Sequence, residues 1–493
     1  MKKLILFLIL NCLAIEYIIG QNSFLQKQGT ATQLVVHGMP FLILGGELGN
    51  SSAACPQDIE RIFPKLKKMG LNTVLVPVYW DLTEPVEGQF DFTLTDKALQ
   101  QARENDLKIQ IENEIGMLED ARDYSREANK IFNAPVPAEF MTYLQKNKKA
   151  LHPQMLKKWE SQGCKKQGNW QEVFGADIYT DEIFMAWHYA KYVEGLAQTA
   201  RSIYNIPLYV NAAMNSRGRK PGEYPSAGPL AHLIDVWHCG APSIDILAPD
   251  LYDNGFTDWV AQYKLHNNPL FIPEIRLTDN NSVRAFYIFG EHDAIGISPF
   301  SIEDGSDSPN SPLVQSYAKL TELMPLLTKY QGKGLMKGLL FDSENKERII
   351  ADDDLTITAR HFFTLPWDSR ATNGSIWPEG GGILLKLSKD EYIVAGSGIV
   401  LEFTKTSEKQ TIEKQKQLGE DGFALKNDQI KTKHDKFKGM RCGIGYVDEV
   451  KVDKDGKLHY VRRLNGDQDH QGRHVRISVG DFKILHVQLY EYQ

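Results

Sequence analysis

The chain has 493 residues, 42% hydrophobic and 24% charged, a balance that excludes disorder, a collagen-like repeat and a disulfide miniprotein. Its 56 Lys and Arg against 63 Asp and Glu leave a net charge of −7. That is a poor basis for a dedicated nucleic-acid binder, whose affinity comes from cations on phosphates. Aromatic residues make up 10%, a level that suits sugar binding and an ordinary core alike.

Met1, Lys2 and Lys3 precede an apolar run from Leu4 to Gly20, the pattern of a bacterial secretory signal cleaved near Gly20–Gln21. Residues 1–20 are therefore expected to be removed and the protein to be secreted or periplasmic. Cys12 offers a lipid anchor as the lesser alternative, because Asn11 departs from the small residue a lipobox needs. Glu16 interrupts the run, and no later stretch is long and apolar enough for a membrane span. Of the five cysteines, Cys12, Cys55, Cys164, Cys239 and Cys442, none has metal-ligand spacing. Buried free thiols are favoured over one or two disulfides, and no metal or organic cofactor is implied.

From residue 21 to 334 short apolar runs alternate with amphipathic ones. The spacing predicts strands at Phe41–Gly49, Leu71–Tyr79, Leu107–Glu114, Leu208–Met214, Ile244–Leu251, Leu270–Arg276 and Ile295–Phe300. Between them it predicts helices at Pro56–Met69, Thr95–Asn105, Asp181–Ile203, Leu230–His238, Val283–Glu291 and Leu313–Tyr330. This repetition is that of an α/β fold, a TIM-type (β/α) barrel. Asp120–Phe174 breaks the rhythm and reads as a helical insertion at the catalytic face or a solvated excursion. From 335 to 493 strands alternate with Gly and Asp turns, as in an all-β sandwich-like domain. Asp453–Gly456 reads as a hairpin turn rather than a calcium loop, since it lacks flanking helices and the EF-hand glutamate. The Lys-rich stretch Lys431–Arg441 reads as a solvated loop.

Two carboxylates stand out by position. Glu114, in Glu112-Asn113-Glu114-Ile115-Gly116, and Glu274, in Pro273-Glu274-Ile275-Arg276, each end a predicted strand. Strand ends on that side of a barrel face the active site, and an unpaired buried carboxylate is costly enough to need a reason. Either residue alone fits an ion pair, with Arg276 a partner for Glu274. As a pair they fit glycoside hydrolysis, in which one carboxyl protonates the leaving oxygen and the other attacks the anomeric carbon.

An Asn-Glu strand end followed three strands later by a second Glu resembles the clan A retaining glycosidases. Gly45-Gly46-Glu47, Tyr79-Trp80-Asp81-Leu82-Thr83-Glu84-Pro85 and Gly88-Gln89-Phe90-Asp91-Phe92 resemble glycoside hydrolase family 35, the β-galactosidases, in the bacterial subgroup with a C-terminal β-domain. The likeness runs from about Gly45 to Tyr492. It implies a retaining exo-β-galactosidase acting on an oligosaccharide or polysaccharide. By that resemblance Glu114 is the general acid/base, Asn113 binds the sugar 2-hydroxyl, Glu274 is the nucleophile and Tyr252 orients it. Asn211 ends a strand that reaches the pocket, Trp80 is a candidate wall, and Glu47 and Glu84 are candidates for sugar hydroxyls. One strand–helix unit of the family is missing before Asn113. The barrel therefore has seven strands, and a catalytically impaired sugar-binding relic is the rival expectation. Oligomeric state is not legible.

Overall fold

The computed structural model describes residues 23–112, 120–214, 217–409 and 438–493. The chain forms two compact units. The first runs to Thr278 and resumes over His292–Asp307, and the second comprises Asp279–Glu291 and Ser308 to the end.

The first unit opens with an antiparallel sheet of β1 (Phe24–Gln28), β2 (Ala31–Val36) and β3 (Met39–Phe41), which the apolar pattern did not signal. The barrel strands follow: β4 (Ile43–Leu44), β5 (Thr73–Pro77), β6 (Lys108–Glu112), β7 (Tyr209–Ala213), β8 (Ile246–Leu251), β9 (Phe271–Ile275) and β10 (Gly296–Pro299). One five-stranded sheet has the order β4-β10-β9-β8-β7, and β5 pairs with β6. All these pairings are parallel. The two sheets join where Leu75 exchanges backbone hydrogen bonds with Gly46 and Leu48, at 2.9 and 3.0 Å. The Asn72 side chain stitches the same seam, accepting from the Leu44 amide and donating to the Leu42 carbonyl, both at 2.9 Å.

The continuous order is thus β6-β5-β4-β10-β9-β8-β7. Among the described residues no ladder joins β6 to β7. The double glycine just after β4 has a packing cause. A Cβ on Gly46 would stand 2.5 Å from the Ile302 side chain, and one on Gly45 2.3 Å from Ser298 Oγ.

Helices cover the strands as amphipathicity demands. In α1 (Pro56–Lys68), Ile59, Ile62, Phe63 and Leu66 fall on one buried face, and Pro56 opens the helix where its missing N–H costs nothing. Then come α2 (Trp80–Thr83) and α3 (Thr93–Glu104). The insertion supplies α4 (Arg126–Phe132), α5 (Ala138–Asn147), α6 (Pro153–Glu160) and α7 (Trp170–Phe174). It is not a solvated excursion. Phe140, Trp159, Trp170 and Phe174 are buried in one core with residues of α8 (Ile178–Ile203), and Phe140 stacks on Trp187 with ring centroids 5.2 Å apart. The segment looked polar because each short helix shows the core only one to three side chains. Next come α9 (Ile234–Gly240) and α10 (Phe256–Gln262).

The second unit takes in α11 (Asn281–His292), apart from its last residue, and α12 (Pro312–Tyr330), helices that the repeating pattern assigns to the barrel. Side-chain chemistry explains their allegiance. Phe286 stacks on Phe482, Arg284 forks onto Glu379 at 2.6 and 2.8 Å, and Gly290 lies against Gly338 where a Cβ would meet backbone at 3.0 Å. The strands are β11 (Met336–Phe341), β12 (Glu347–Asp352), β13 (Leu355–His361), β14 (Gly380–Ser388), β15 (Glu391–Ser397), β16 (Ile399–Lys405), β17 (Arg441–Val452), β18 (Leu458–Leu464), β19 (Val475–Ile477) and β20 (Lys483–Tyr492). They form a six-stranded sheet, β11-β14-β15-β20-β17-β18, and a four-stranded sheet, β12-β13-β16-β19.

Val394, Leu485 and Val487 from the first sheet and Ile357, Leu401 and Val475 from the second share one buried core, which makes the pair a sandwich. Between β17 and β18 the Asp453 carboxylate accepts from the amides of Asp455 and Lys457, and Gly456 takes a φ of 77°. This is a hairpin turn. Residues 431–437 of the Lys-rich stretch lie outside the described residues, and Arg441 opens β17. Cys55, Cys164, Cys239 and Cys442 are free thiols, each half-buried. No described helix is long and apolar enough to cross a membrane.

Candidate active site

The C-terminal ends of β6, β8 and β9, with Tyr209 and Asn211 on β7 and Glu47 just beyond β4, bring polar side chains together at the barrel mouth. Parallel register sets the neighbours: Glu274 on β9 is the partner of Asp250 on β8, and Asp250 of Ala213 on β7. Glu274 is half-buried and accepts a hydrogen bond from the Tyr252 hydroxyl, and the Arg276 guanidinium lies 5.7 Å from the Tyr252 ring centroid. Asp250 is buried and accepts from the Asn211 amide at 2.9 Å. Across the opening between β6 and β7, the Tyr209 hydroxyl donates to Glu112. A side chain thus spans the gap that no ladder closes.

Four carboxyls, Glu47, Glu112, Asp250 and Glu274, share this space, and they cannot all ionise. Burial, reinforced by the neighbouring Glu112, pushes Glu47 up to about 12. Glu112 is raised by burial too, but it accepts from Glu47 and Tyr209, which favours its charged form. Of the two, Glu47 is the one whose neighbours all favour the protonated form. Asp250 is raised well above the usual carboxylate range by burial and then by the charge of Glu274, with the Asn211 amide opposing. Tyr252 and Tyr209 are raised, first by burial and then by the carboxylates they bond, so both remain donors. Holding Glu47 neutral removes a negative charge that would otherwise repel one on Glu274, and the upward push on Asp250 acts in the same sense.

Among the residues singled out in the sequence, Glu274, Tyr252, Asn211 and Glu47 are brought together here. Glu84 is not part of the cluster. Its carboxylate accepts from the Gly88 amide at 2.7 Å and closes the turn after Pro85. Trp80 is 59% exposed, edge-on to Phe90 at 6.5 Å. Asn113 and Glu114 lie outside the described residues. Sequence reasoning missed Glu112, Asp250 and Tyr209. The signal for Glu112 was present, because it stands two residues before Glu114, on the same face of an alternating strand. Asp250 was legible as the one charge in the strand Ile246–Leu251. Nothing marked Tyr209, whose role depends on the opening. No group of described His, Cys, Asp and Glu side chains has the arrangement of a metal site.

Residues 33–106 match the family model of glycosyl hydrolases family 35, and residues 313–476 match DUF5597, a domain of unknown function. No curated protein sequence matches the chain. Similar solved structures include an endo-1,4-β-mannanase from Rhizomucor miehei, 17% identical, covering 60% of this chain and 98% of that one at a TM-score of 0.35. A glycoside hydrolase family 5 protein from Bacteroides vulgatus is 11% identical over 96% of this chain and 94% of that one, TM-score 0.37. A polyextremophilic β-galactosidase from the Antarctic haloarchaeon Halorubrum lacusprofundi is 13% identical over 57% of this chain and 58% of that one, TM-score 0.37. The family 35 match takes in β4 and β5, so this part of the first unit resembles the glycoside hydrolases. More particularly, the chain joins a partial family 35 match in its first unit to a DUF5597 match in its second.

Proposed function

We propose that the protein is a secreted, retaining exo-β-galactosidase that releases terminal β-galactosyl units from glycans. The observation that carries this reading is Glu274 at the end of β9, held by the Tyr252 hydroxyl beside two carboxyls, Glu47 and Asp250, that burial pushes above the usual carboxylate range. In the first step the Glu274 carboxylate attacks the anomeric carbon, the glycosidic C–O bond breaks, and Glu114 gives its proton to the leaving oxygen. In the second step water attacks the glycosyl-enzyme ester, Glu114 takes the water proton, and Glu274 leaves as carboxylate. Glu47 and Asp250, as neutral acids, are suited to hydrogen-bond sugar hydroxyls, and the family-35 match over residues 33–106 supports galactose as the glycone. Retention requires the Glu114 and Glu274 carboxyls to stand about 5–5.5 Å apart.

Hydrolysis of 4-nitrophenyl β-galactoside by the wild type, abolished in Glu274→Gln, is the expected result. Turnover unchanged in Glu274→Gln contradicts it. The opening between β6 and β7 favours a second reading, a sugar-binding relic without turnover. Galactose binding with no hydrolysis of any aryl glycoside would select that reading.

A further inference from the structure

Two tryptophans of the second unit lie on the connection between β13 and β14, and their surroundings differ. Trp377 is buried, stacks on His361 with ring centroids 4.8 Å apart, and donates its Nε1–H to the Arg370 carbonyl at 3.0 Å. Trp367 is 54% exposed. It is no core residue, yet neighbours hold it in place. The rings of His470 and His474 lie 4.7 and 6.1 Å from its own, and the Arg476 guanidinium stands 5.6 Å from its centroid. His470 stacks in turn on His474 at 4.7 Å.

The sheet next to these rings is polar. Ile357, Leu401 and Val475 belong to the sandwich core, so alternation along paired β13, β16 and β19 turns Arg360, Glu402 and Arg476 to the outer face. There the Glu402 carboxylate accepts from His474 Nε2 at 2.9 Å and from Arg360. Arg476 Nε donates to the Gln468 carbonyl at 3.0 Å, which ties the segment before β19 to the sheet. Three buried polar atoms have no hydrogen-bond partner among the described residues: Asp469 Oδ1, His474 Nδ1 and Arg360 Nε. Asp469 is only 9% exposed and His474 7%. Buried polar atoms are nearly always paired, so such a set beside an exposed indole points to a ligand. With the Nε2 proton of His474 given to Glu402, its Nδ1 accepts, as does Asp469 Oδ1, while Arg360 Nε–H donates. Hydroxyl groups satisfy all three, because each both donates and accepts. The flat indole suits the C–H face of a pyranose. An anionic ligand would bring its charge against the unpartnered Asp469 oxygen.

We propose that Trp367, His470 and the polar atoms around them form a binding site on the second unit for a neutral hexopyranose chain. The proposal stands whether or not Glu274 turns over a glycan. The test titrates the full chain, carrying Glu274→Gln to keep the probes intact, with cellohexaose, β-1,4-galactohexaose and hexagalacturonate by calorimetry. The expected result is binding of at least one neutral probe, weakened about tenfold or more by Trp367→Ala and largely kept by Trp367→Phe, which retains a flat ring. Undiminished binding in Trp367→Ala, no binding of either neutral probe, or binding of the galacturonate alone overturns the proposal. If Trp367→Ala lowers the melting temperature, Asp469→Asn decides in its place, since it keeps the shape and changes only the acceptor. Weakened binding of the neutral probe then supports the site, and equal binding overturns it.

Discussion

At the residue scale, the site is a question of which carboxyls keep their protons. Glu47 stands far above its ordinary 4.5 because burial disfavours its charge and Glu112 lies against it. An acid raised in the folded state favours folding fully below about pH 4.5, where the unfolded chain is protonated too, and that contribution is lost as pH climbs from there toward about 12. Glu47→Gln keeps the shape without the ionisation. Its melting temperature relative to wild type should therefore rise between pH 5 and pH 9. A difference that stays flat over that range would mean Glu47 is not held neutral. Tyr252→Phe tests the neighbouring contact. A hydrogen bond to a charged group contributes about 1.5–3 kcal/mol, so kcat on an aryl β-galactoside should fall roughly 10- to 100-fold. A fall confined to KM would assign Tyr252 to ground-state binding alone. Glu274 stood out in the sequence because it ends an apolar strand, whereas Tyr252 was singled out only by the family resemblance. Glu112 and Asp250 were visible as charges, yet their coupling needs the parallel register, which no single strand discloses.

At the element scale, all seven barrel strands follow from short apolar runs, and each is found within the span its run marks. The N-terminal sheet was not legible, because Phe24–Gln28 is mostly exposed and carries little apolar pattern. The insertion looked solvated because its core residues are spread over four short helices. Phe140→Ala should cost about 3–5 kcal/mol in chemical denaturation, as for a buried aromatic. A loss within about 0.5 kcal/mol, normal for surface positions, would mean that this core does not form. The open side of the barrel has its own consequence. Ile111 on β6 is 49% exposed. An apolar strand edge of this kind promotes association. Ile111→Lys should reduce light scattering on concentration without lowering the melting temperature, and unchanged scattering would clear the edge of that role.

At the scale of the whole molecule, the sequence pattern separated a βα half from an all-β half but placed the change near residue 334. The structure gives the helices Asn281–His292, but for its last residue, and Pro312–Tyr330 to the second unit. Helical periodicity cannot tell which sheet a helix will cover. Only partners such as Glu379 for Arg284 and Phe482 for Phe286 decide it. Among the described residues β6 and β7 are linked by the Tyr209–Glu112 hydrogen bond. The central claim is that Glu274 attacks sugar from this mouth. Incubation with 2-deoxy-2-fluoro-β-galactosyl fluoride, followed by peptide mass spectrometry, tests it most directly. The account predicts a single glycosyl adduct, on Glu274; an adduct on another residue, or none while galactosides are still hydrolysed, would contradict it.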